Sequence, residues 1–389
     1  MPRRLAFDVA ILGDGPAAAA TAFPLAEAGA RVAIVGPARK RAARMGHGEC
    51  LPPAGKTWLR HFGVAERLEA EGALPIVSQH SYWGSARNES SELIHGAHGG
   101  GWIVDRRKFD EWLRGAAVRG GATRLKKSAG TILRRRQSWS LPTAEGTVEA
   151  RYLVDATGRA ASAAHQLGAQ TLCQDRLVAI ALRASSPRST DQDLTTCIEA
   201  AEAGWWYTCR TGPRERIVAW FTDADLLPKT AAGRRRDFHD RLNNSAPLTE
   251  TLRTHGYRLG DRLEIAVARN SRLDPLQGDG WLAVGDAATA HDPLGGHGIL
   301  SAMDSGRWAA RSLVEAAKGD SQAFGMYASF LDERHRAYQR HLARVYSAET
   351  RWASHPFWKR RIVTTQTSRG ESADATPLQQ RGPIAELLD

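Results

Sequence analysis

Six residues constrain this chain more than any others: Gly13-Asp14-Gly15-Pro16-Ala17-Ala18, set between an apolar stretch and an alanine-rich one. Residues 7–12 (FDVAIL) suit a buried parallel strand. The alanines predict a helix to about Ala28, Gly29 stops it, and residues 31–35 (RVAIV) read as a second strand. Strand, glycine turn, helix and strand in this order form a βαβ unit. Gly13 then makes the tight turn, Gly15 lets the backbone approach a pyrophosphate, and the small Ala18 lets helix and strand pack closely. The helix opens at Pro16 and Ala17, where free amides and the positive dipole end face the phosphates. Dinucleotide binding is the expected use, and a purely structural glycine turn is the plainer alternative.

One departure stands out. The second strand of such a unit normally ends in an acid for the adenosine ribose. Here it ends in Val35-Gly36-Pro37, followed by Ala38-Arg39-Lys40-Arg41. The ribose must be held by another group or through water.

Composition excludes several classes. The 389 residues suit one large domain or two intimately joined ones, and no apolar run approaches a membrane span. Cys50, Cys173, Cys197 and Cys209 are scattered without CxxC spacing, so neither a metal site nor a disulfide framework is expected. Met1-Pro2-Arg3-Arg4 is no secretory signal, and a cytoplasmic protein is the expectation. The net charge of +11 raises nucleic acid as a partner. No basic stripe interleaved with aromatics supports it, and 8 Lys against 45 Arg points to an arginine-rich genome.

Two further motifs follow. Residues 152–154 read as an apolar strand running into Asp155-Ala156-Thr157-Gly158-Arg159, whose small residues let the chain turn beside a ligand. Residues 281–284 (WLAV) read as another, ending in Gly285-Asp286, with Asp292-Pro293-Leu294-Gly295-Gly296-His297-Gly298 and a long helix beyond. Asp286 is placed to accept ribityl hydroxyls. Amides near Gly295, Gly296 and Gly298 would make a helix-terminal anion site for an electron-rich ring.

With its three motifs in this order, the chain resembles the FAD-binding superfamily of para-hydroxybenzoate hydroxylase, geranylgeranyl reductases and flavin-dependent halogenases. The resemblance implies FAD as cofactor. It implies an arginine contact to it from Arg106, a ribityl ligand in Asp286, a Pro293 beside the reactive flavin edge, and Asp155 in the cofactor site. Gly48-Glu49-Cys50-Leu51-Pro52-Pro53 resembles the halogenase-like branch, but the Trp-x-Trp-x-Ile-Pro segment of halogenases is missing.

Two aromatic stretches narrow the resemblance. One joins Gly204-Trp205-Trp206-Tyr207-Thr208 to Ala219-Trp220-Phe221. The other runs from Glu349-Thr350-Arg351-Trp352 to His355-Pro356-Phe357-Trp358-Lys359-Arg360-Arg361. Together they look like flavoprotein monooxygenases that mature protein-derived quinone cofactors. This resemblance implies a partner polypeptide whose Trp, rather than Tyr, is hydroxylated through a flavin hydroperoxide, with NADH or NADPH as transient reductant. A hydroxylase of a free small aromatic is the alternative, with a halogenase or isoprenoid reductase behind it.

Trp205, Trp206, Tyr207 and Trp220 then wall a substrate pocket, or simply pack a core. Trp352 and Trp358 with the basic triplet form a lip for the partner, or pack the last helix. For proton handling the candidates are Glu49, His297, His291 and Asp292, with His47 weaker.

The expected fold is mixed α/β. A Rossmann-like FAD-binding domain takes residues 1–76, 100–176 and 270–320. An antiparallel sheet for substrate takes 77–99 and 177–269, C-terminal helices 321–364, and a mobile tail 365–389.

Overall fold

A computed structural model describes residues 3–36, 48–93, 100–126, 131–188 and 191–368. The basic run after the second strand, His47 and residues 369–389 lie outside the described residues.

The opening strand, Arg4–Leu12, is the spine of the first sheet. It pairs in parallel with Val32–Gly36 on one side and Gly146–Asp155 on the other. Thr123–Lys126 and Trp281–Ala283 extend the parallel set outward. Val9, Ala10, Ile11 and Leu12 are buried, as a strand covered on both faces requires. On one face lies helix Pro16–Glu27, of which ten residues are buried, and helix Gly298–Ala317 packs over it. That crossing needs small residues: a Cβ on Gly306 would come 2.6 Å from the Ala17 carbonyl and 2.9 Å from Ala20 Cβ.

The second sheet is built mainly from Leu177–Ser185, Thr195–Ala201, Gly204–Gly212 and Glu215–Asp223. Ser78–Tyr82 and Glu89–Glu92 close one end, while Arg258–Leu259 and Glu264–Val267 pair at the other. Its neighbours are antiparallel except Thr195–Ala201 with Ser78–Tyr82, which run parallel. Thr195–Ala201 escapes a reading by apolar runs because its sequence, TTCIEAA, is buried only at alternate positions.

Alternation gives this sheet two unlike faces. Ala179, Trp205, Cys209, Ile217, Ala219 and Phe221 share one core cluster with Trp83, Val345, Tyr346, Phe357 and Trp358. Ile180, Leu182, Trp206, Val218 and Trp220 share another with Phe238, Leu242 and Leu248. The last three come from helices Ala231–Asn243 and Ala246–Thr254, which cover that face.

The C-terminal reading needs two corrections. Helix Pro356–Ser368 continues through residues 365–368, where a tail was expected. The aromatic and basic segment is no lip either, because its groups are used internally. Trp358 is fully buried, its indole N–H donating to the Ala201 and Glu202 carbonyls, each at 3.0 Å. Arg361 pairs with the buried Asp223 at 2.8 Å, and Arg360 with Asp223 at 2.8 Å and Asp225 at 2.7 Å. Lys359 alone of the triplet is left without a described ion pair. No described helix is long and apolar enough to cross a membrane.

Candidate functional site

A cavity of about 930 Å³ opens where the carboxyl ends of the parallel strands meet the alanine-rich face of the second sheet. Ligands of open α/β sheets bind in such a crevice. Gly13, Gly15, Pro16 and Ala17 line it on one side, and Ala156 to Ala160, Asp286, Pro293, Gly296 and Gly298 on another.

Glycine is required at Gly13. Its φ is +117°, and a Cβ there would stand 2.1 Å from the Ala156 carbonyl oxygen, because strand ends 12 and 155 lie side by side. A Cβ on Gly15 would meet nothing within 4 Å, so this backbone faces open space. Helix Pro16–Glu27 starts there with no side-chain cap, and helix Gly298–Ala317 starts uncapped at His297. Two long helices thus present unsatisfied amides and positive dipole ends to one cavity. A ligand with electron-rich groups at two separated places suits this arrangement.

Asp155 has a different role from the cofactor contact expected of it. Its carboxylate accepts four hydrogen bonds, from Thr157 N–H (2.8 Å), Thr157 O–H (2.7 Å), Ala163 N–H (2.9 Å) and Ala164 N–H (2.7 Å). It is buried off the cavity wall and fastens the turn that carries Arg159. Arg159 ties this turn to the third motif. It reaches Asp286 Oδ2 at 3.4 Å, donates to the His291 carbonyl at 2.8 Å, and donates to the Arg269 carbonyl. Its signal in the sequence was being the one charge in a run of small residues. Burial raises the Asp286 pKa, and Arg159 opposes that rise.

Where the second strand ends without an acid, a carboxylate nonetheless stands beside Gly36. It belongs to Asp14, inside the glycine motif, and Arg114 and Arg124 hold it at 3.0 and 3.1 Å. Asp14 lines the cavity.

Glu49 and Arg106 both reach the cavity, but as a pair: Nη1 of Arg106 donates to Glu49 Oε2 at 2.7 Å, and Nε donates to Asp110 at 3.1 Å. The two carboxylates hold Arg106 protonated, while burial pushes the Asp110 carboxyl up.

His291 lies on the wall, and burial with nearby positive charge lowers its pKa to about 3. A neutral imidazole of that kind is a poor proton acceptor. His297 is off the wall, at the N-terminal position of the long helix. Asp292 is on it and almost wholly buried, with Oδ2 accepting from Tyr346 O–H at 2.7 Å and Oδ1 from Leu294 N–H at 2.9 Å. Burial raises its pKa to about 6. Tyr346 Oη also accepts from the Trp205 indole N–H at 3.2 Å.

The aromatic wall is half as expected. Trp205 and Tyr207 face the cavity; Trp206 and Trp220 do not, because they occupy the alternate positions of their strands. Phe221 takes their place, stacked on Trp205 with centroids 3.8 Å apart. Ala179, Ala219, Ala266 and Ala268 add only methyl groups to the wall, beside the larger Ile198, Ile217, Thr196 and Gln79. Tyr207 donates its O–H to the Gly48 carbonyl at 2.9 Å. Ala18, Gly285 and Gly295 lie behind the wall; a Cβ on Gly285 would come 2.8 Å from Ala17 Cβ.

A family model described as FAD binding domain matches residues 6–345. LodB of Marinomonas mediterranea, described as an FAD-dependent oxidoreductase, is 27% identical over 367 residues, which cover 91% of this chain and 96% of LodB. The structure of the myxobacterial chondrochloren halogenase CndH matches with a TM-score of 0.79 at 18% identity, covering 94% of this chain and 88% of its own. QhpG, described as a peptidyl tryptophan dihydroxylase essential for tryptophylquinone cofactor biogenesis, matches with a TM-score of 0.71 at 24% identity, covering 92% and 79%. At these identities the two structures establish the shared fold.

Proposed function

This chain belongs to the FAD-binding-domain family, and from that premise we propose that it is a monooxygenase acting on an aromatic side chain of a partner polypeptide. The side chain is Trp in preference to Tyr, and the modification serves the biogenesis of a protein-derived quinone cofactor. The observation that carries this reading is the cavity's second half. It has a methyl-lined floor and a Trp205–Phe221 stack, with one buried carboxylate at its edge that can take a proton near neutral pH. The likeness to a peptidyl tryptophan dihydroxylase supports the polypeptide target, and the likeness to LodB supports FAD-dependent oxidoreductase chemistry.

The residues present fit FAD. Open space in front of Gly15, bounded by an uncapped helix, suits the pyrophosphate, and the terminus at Gly298 suits the pyrimidine edge of the ring. Asp286 would accept ribityl hydroxyls and Asp14 those of the adenosine ribose. Arg106 would hold the cofactor while Glu49 and Asp110 hold Arg106. FAD held there would supply the oxygen-activating redox chemistry, with NADH or NADPH as the source of electrons. The balance is substrate, dioxygen, NAD(P)H and a proton going to hydroxylated substrate, water and NAD(P)+.

The protein positions the ring, excludes water and moves a proton. Ala179, Ala219 and Phe221 offer water no hydrogen-bond partner on their part of the sheet wall. Asp292 takes the indole or phenol proton on Oδ2, with Tyr346 fixing the carboxylate's orientation. Glu49 is committed to Arg106, His291 is too weak a base and His297 is off the wall, so Asp292 carries this role.

The test is mass spectrometry of a Trp-containing polypeptide incubated with the FAD-loaded protein, NADH or NADPH, and air. A gain of oxygen on Trp or Tyr supports the reading. Oxidation of a free small aromatic with no change in any polypeptide replaces it with the alternative. Gly15→Val should abolish FAD binding, and unchanged flavin occupancy would contradict the assigned turn.

A further inference from the structure

Strand Glu264–Val267 forms the rim of the cavity and an edge of the second sheet. It pairs only with Leu177–Ser185 among the described strands, in the register Val178 to Val267, Ala179 to Ala266 and Ile180 to Ile265. The Ala268 N–H donates to the Leu177 carbonyl at 3.0 Å. Antiparallel pairing alternates, so Ala266 also bonds inward while the amides and carbonyls of Ile265 and Val267 point to the open side. Ile265 is 40% and Val267 49% exposed. Natural edges are usually blocked by Lys, Pro or a bulge; the one charge in this strand is Glu264 at its start, which faces Arg183, and residues 265–268 contain no charge and no proline.

Three features say what pairs there. Ala266 and Ala268 line the cavity with methyl groups, so a strand laid along this edge would have a gap through which an alternate side chain reaches inside. Arg262 and Arg269 flank the strand and Arg258 lies on the next strand along the same edge; all three are exposed and have no carboxylate within ion-pair distance among the described residues. The backbone groups that face out recognise an extended chain of any sequence, leaving selection to charge and to the inserted side chain.

We propose that the polypeptide substrate docks as an added, acidic β-strand on residues 264–267, delivering its target aromatic side chain past Ala266 and Ala268. This rests on the polypeptide reading given above. Asp and Glu of the segment would meet the three arginines, and a free small aromatic would use none of these contacts.

Val267→Pro tests it, because the amide lost points outward and the ladder to Leu177–Ser185 is kept. Val267→Thr keeps the amide and is the control. The probe is a synthetic peptide with one Trp flanked by Asp and Glu, and its binding is followed by fluorescence anisotropy with the FAD-loaded protein. Expected are at least about tenfold weaker binding for Val267→Pro, near-normal binding for Val267→Thr, and peptide-induced hydrogen-exchange protection at Ile265 and Val267. In turnover the loss should fall on KM and leave kcat. Arg262→Glu with Arg269→Glu should weaken binding and flatten its salt dependence. Equal binding by Val267→Pro and the parent protein, or no protection at 265 and 267, overturns the docking inference. So does a dimer of this chain that Val267→Pro dissolves. If both proteins oxygenate the peptide equally, docking is wrong and the proposed function stands. If the parent oxidises only free aromatics, the function fails first and docking with it.

Discussion

The two faces of the second sheet are made from the same strands, often from adjacent residues, yet one is a wall and the other a core. Trp205 faces the cavity, stacked on Phe221 and bonded to Tyr346, while Trp206 is sealed against Trp220 and Phe238. Beside the void the wall face carries Ala179 and Ala219, where the neighbouring core-face positions are Ile180 and Val218. Side-chain volume therefore decides which face holds a void. One strand can specify both because its period is two.

Substitutions that act unequally on the two faces test this contrast. Trp206→Ala should have the largest effect on stability, about 3–5 kcal/mol, since it opens a cavity in a packed core. Trp205→Ala should cost less, about 2 kcal/mol, because its ring already borders a void, and should impair turnover instead. Equal shifts in thermal midpoint would break the contrast.

Asp292→Asn should keep the fold and lower turnover by roughly 10²–10⁴-fold. In the parent protein activity should rise with pH through about 6, where Asp292 loses its proton and becomes able to accept one. The stability sign is opposite. Its folded pKa lies above the ordinary carboxyl value of 3.8, so the folded state binds more protons between that value and about 6, and this group's contribution falls as pH rises through the window. Asp292→Asn should remove both slopes, as pH-rate and pH-stability profiles would show.

Small-to-large changes sharpen the comparison further. Ala219→Leu should project into the void, costing under about 1 kcal/mol of stability while reducing aromatic binding about tenfold, whereas Val218→Phe should cost about 1–3 kcal/mol and spare binding. Trp220→Phe should also have a small effect, about 1 kcal/mol, because the indole N–H it removes is buried with no partner among the described residues. Calorimetry on the set gives the ranking.

Much of the nucleotide-binding half was legible because its determinants are local. Gly13, Gly15 and the alanines following them lie within one turn and one helix, and strand register then fixes where they point. The aromatic wall was half legible. Successive residues of a strand cannot share a face, so Trp205 and Trp206 could not both line the pocket. The carboxylate chemistry was hidden by distance along the chain. Glu49 meets Arg106 57 residues away, and Asp292 meets Tyr346 54 residues away. Asp14 was not legible as a ribose ligand because the acid of such a unit normally follows the second strand, and here one arrives beside it from the first turn.

The bonds made by the chain's last helices set an order on its synthesis. Trp83 N–H donates to the Val345 carbonyl, Gly84 N–H to Glu349, and Asp223 receives Arg360 and Arg361. The first two contacts span 262 and 265 residues. A ribosome must therefore have released the chain past Arg361 before the second sheet can bury Trp83 and neutralise Asp223. Until then the nascent protein carries an unfinished core, while its glycine turn and first parallel strands already have their partners. Truncation just before Pro356 would keep the bonds to Val345 and Glu349 but leave Trp83 without Trp358 and Asp223 without Arg360 and Arg361.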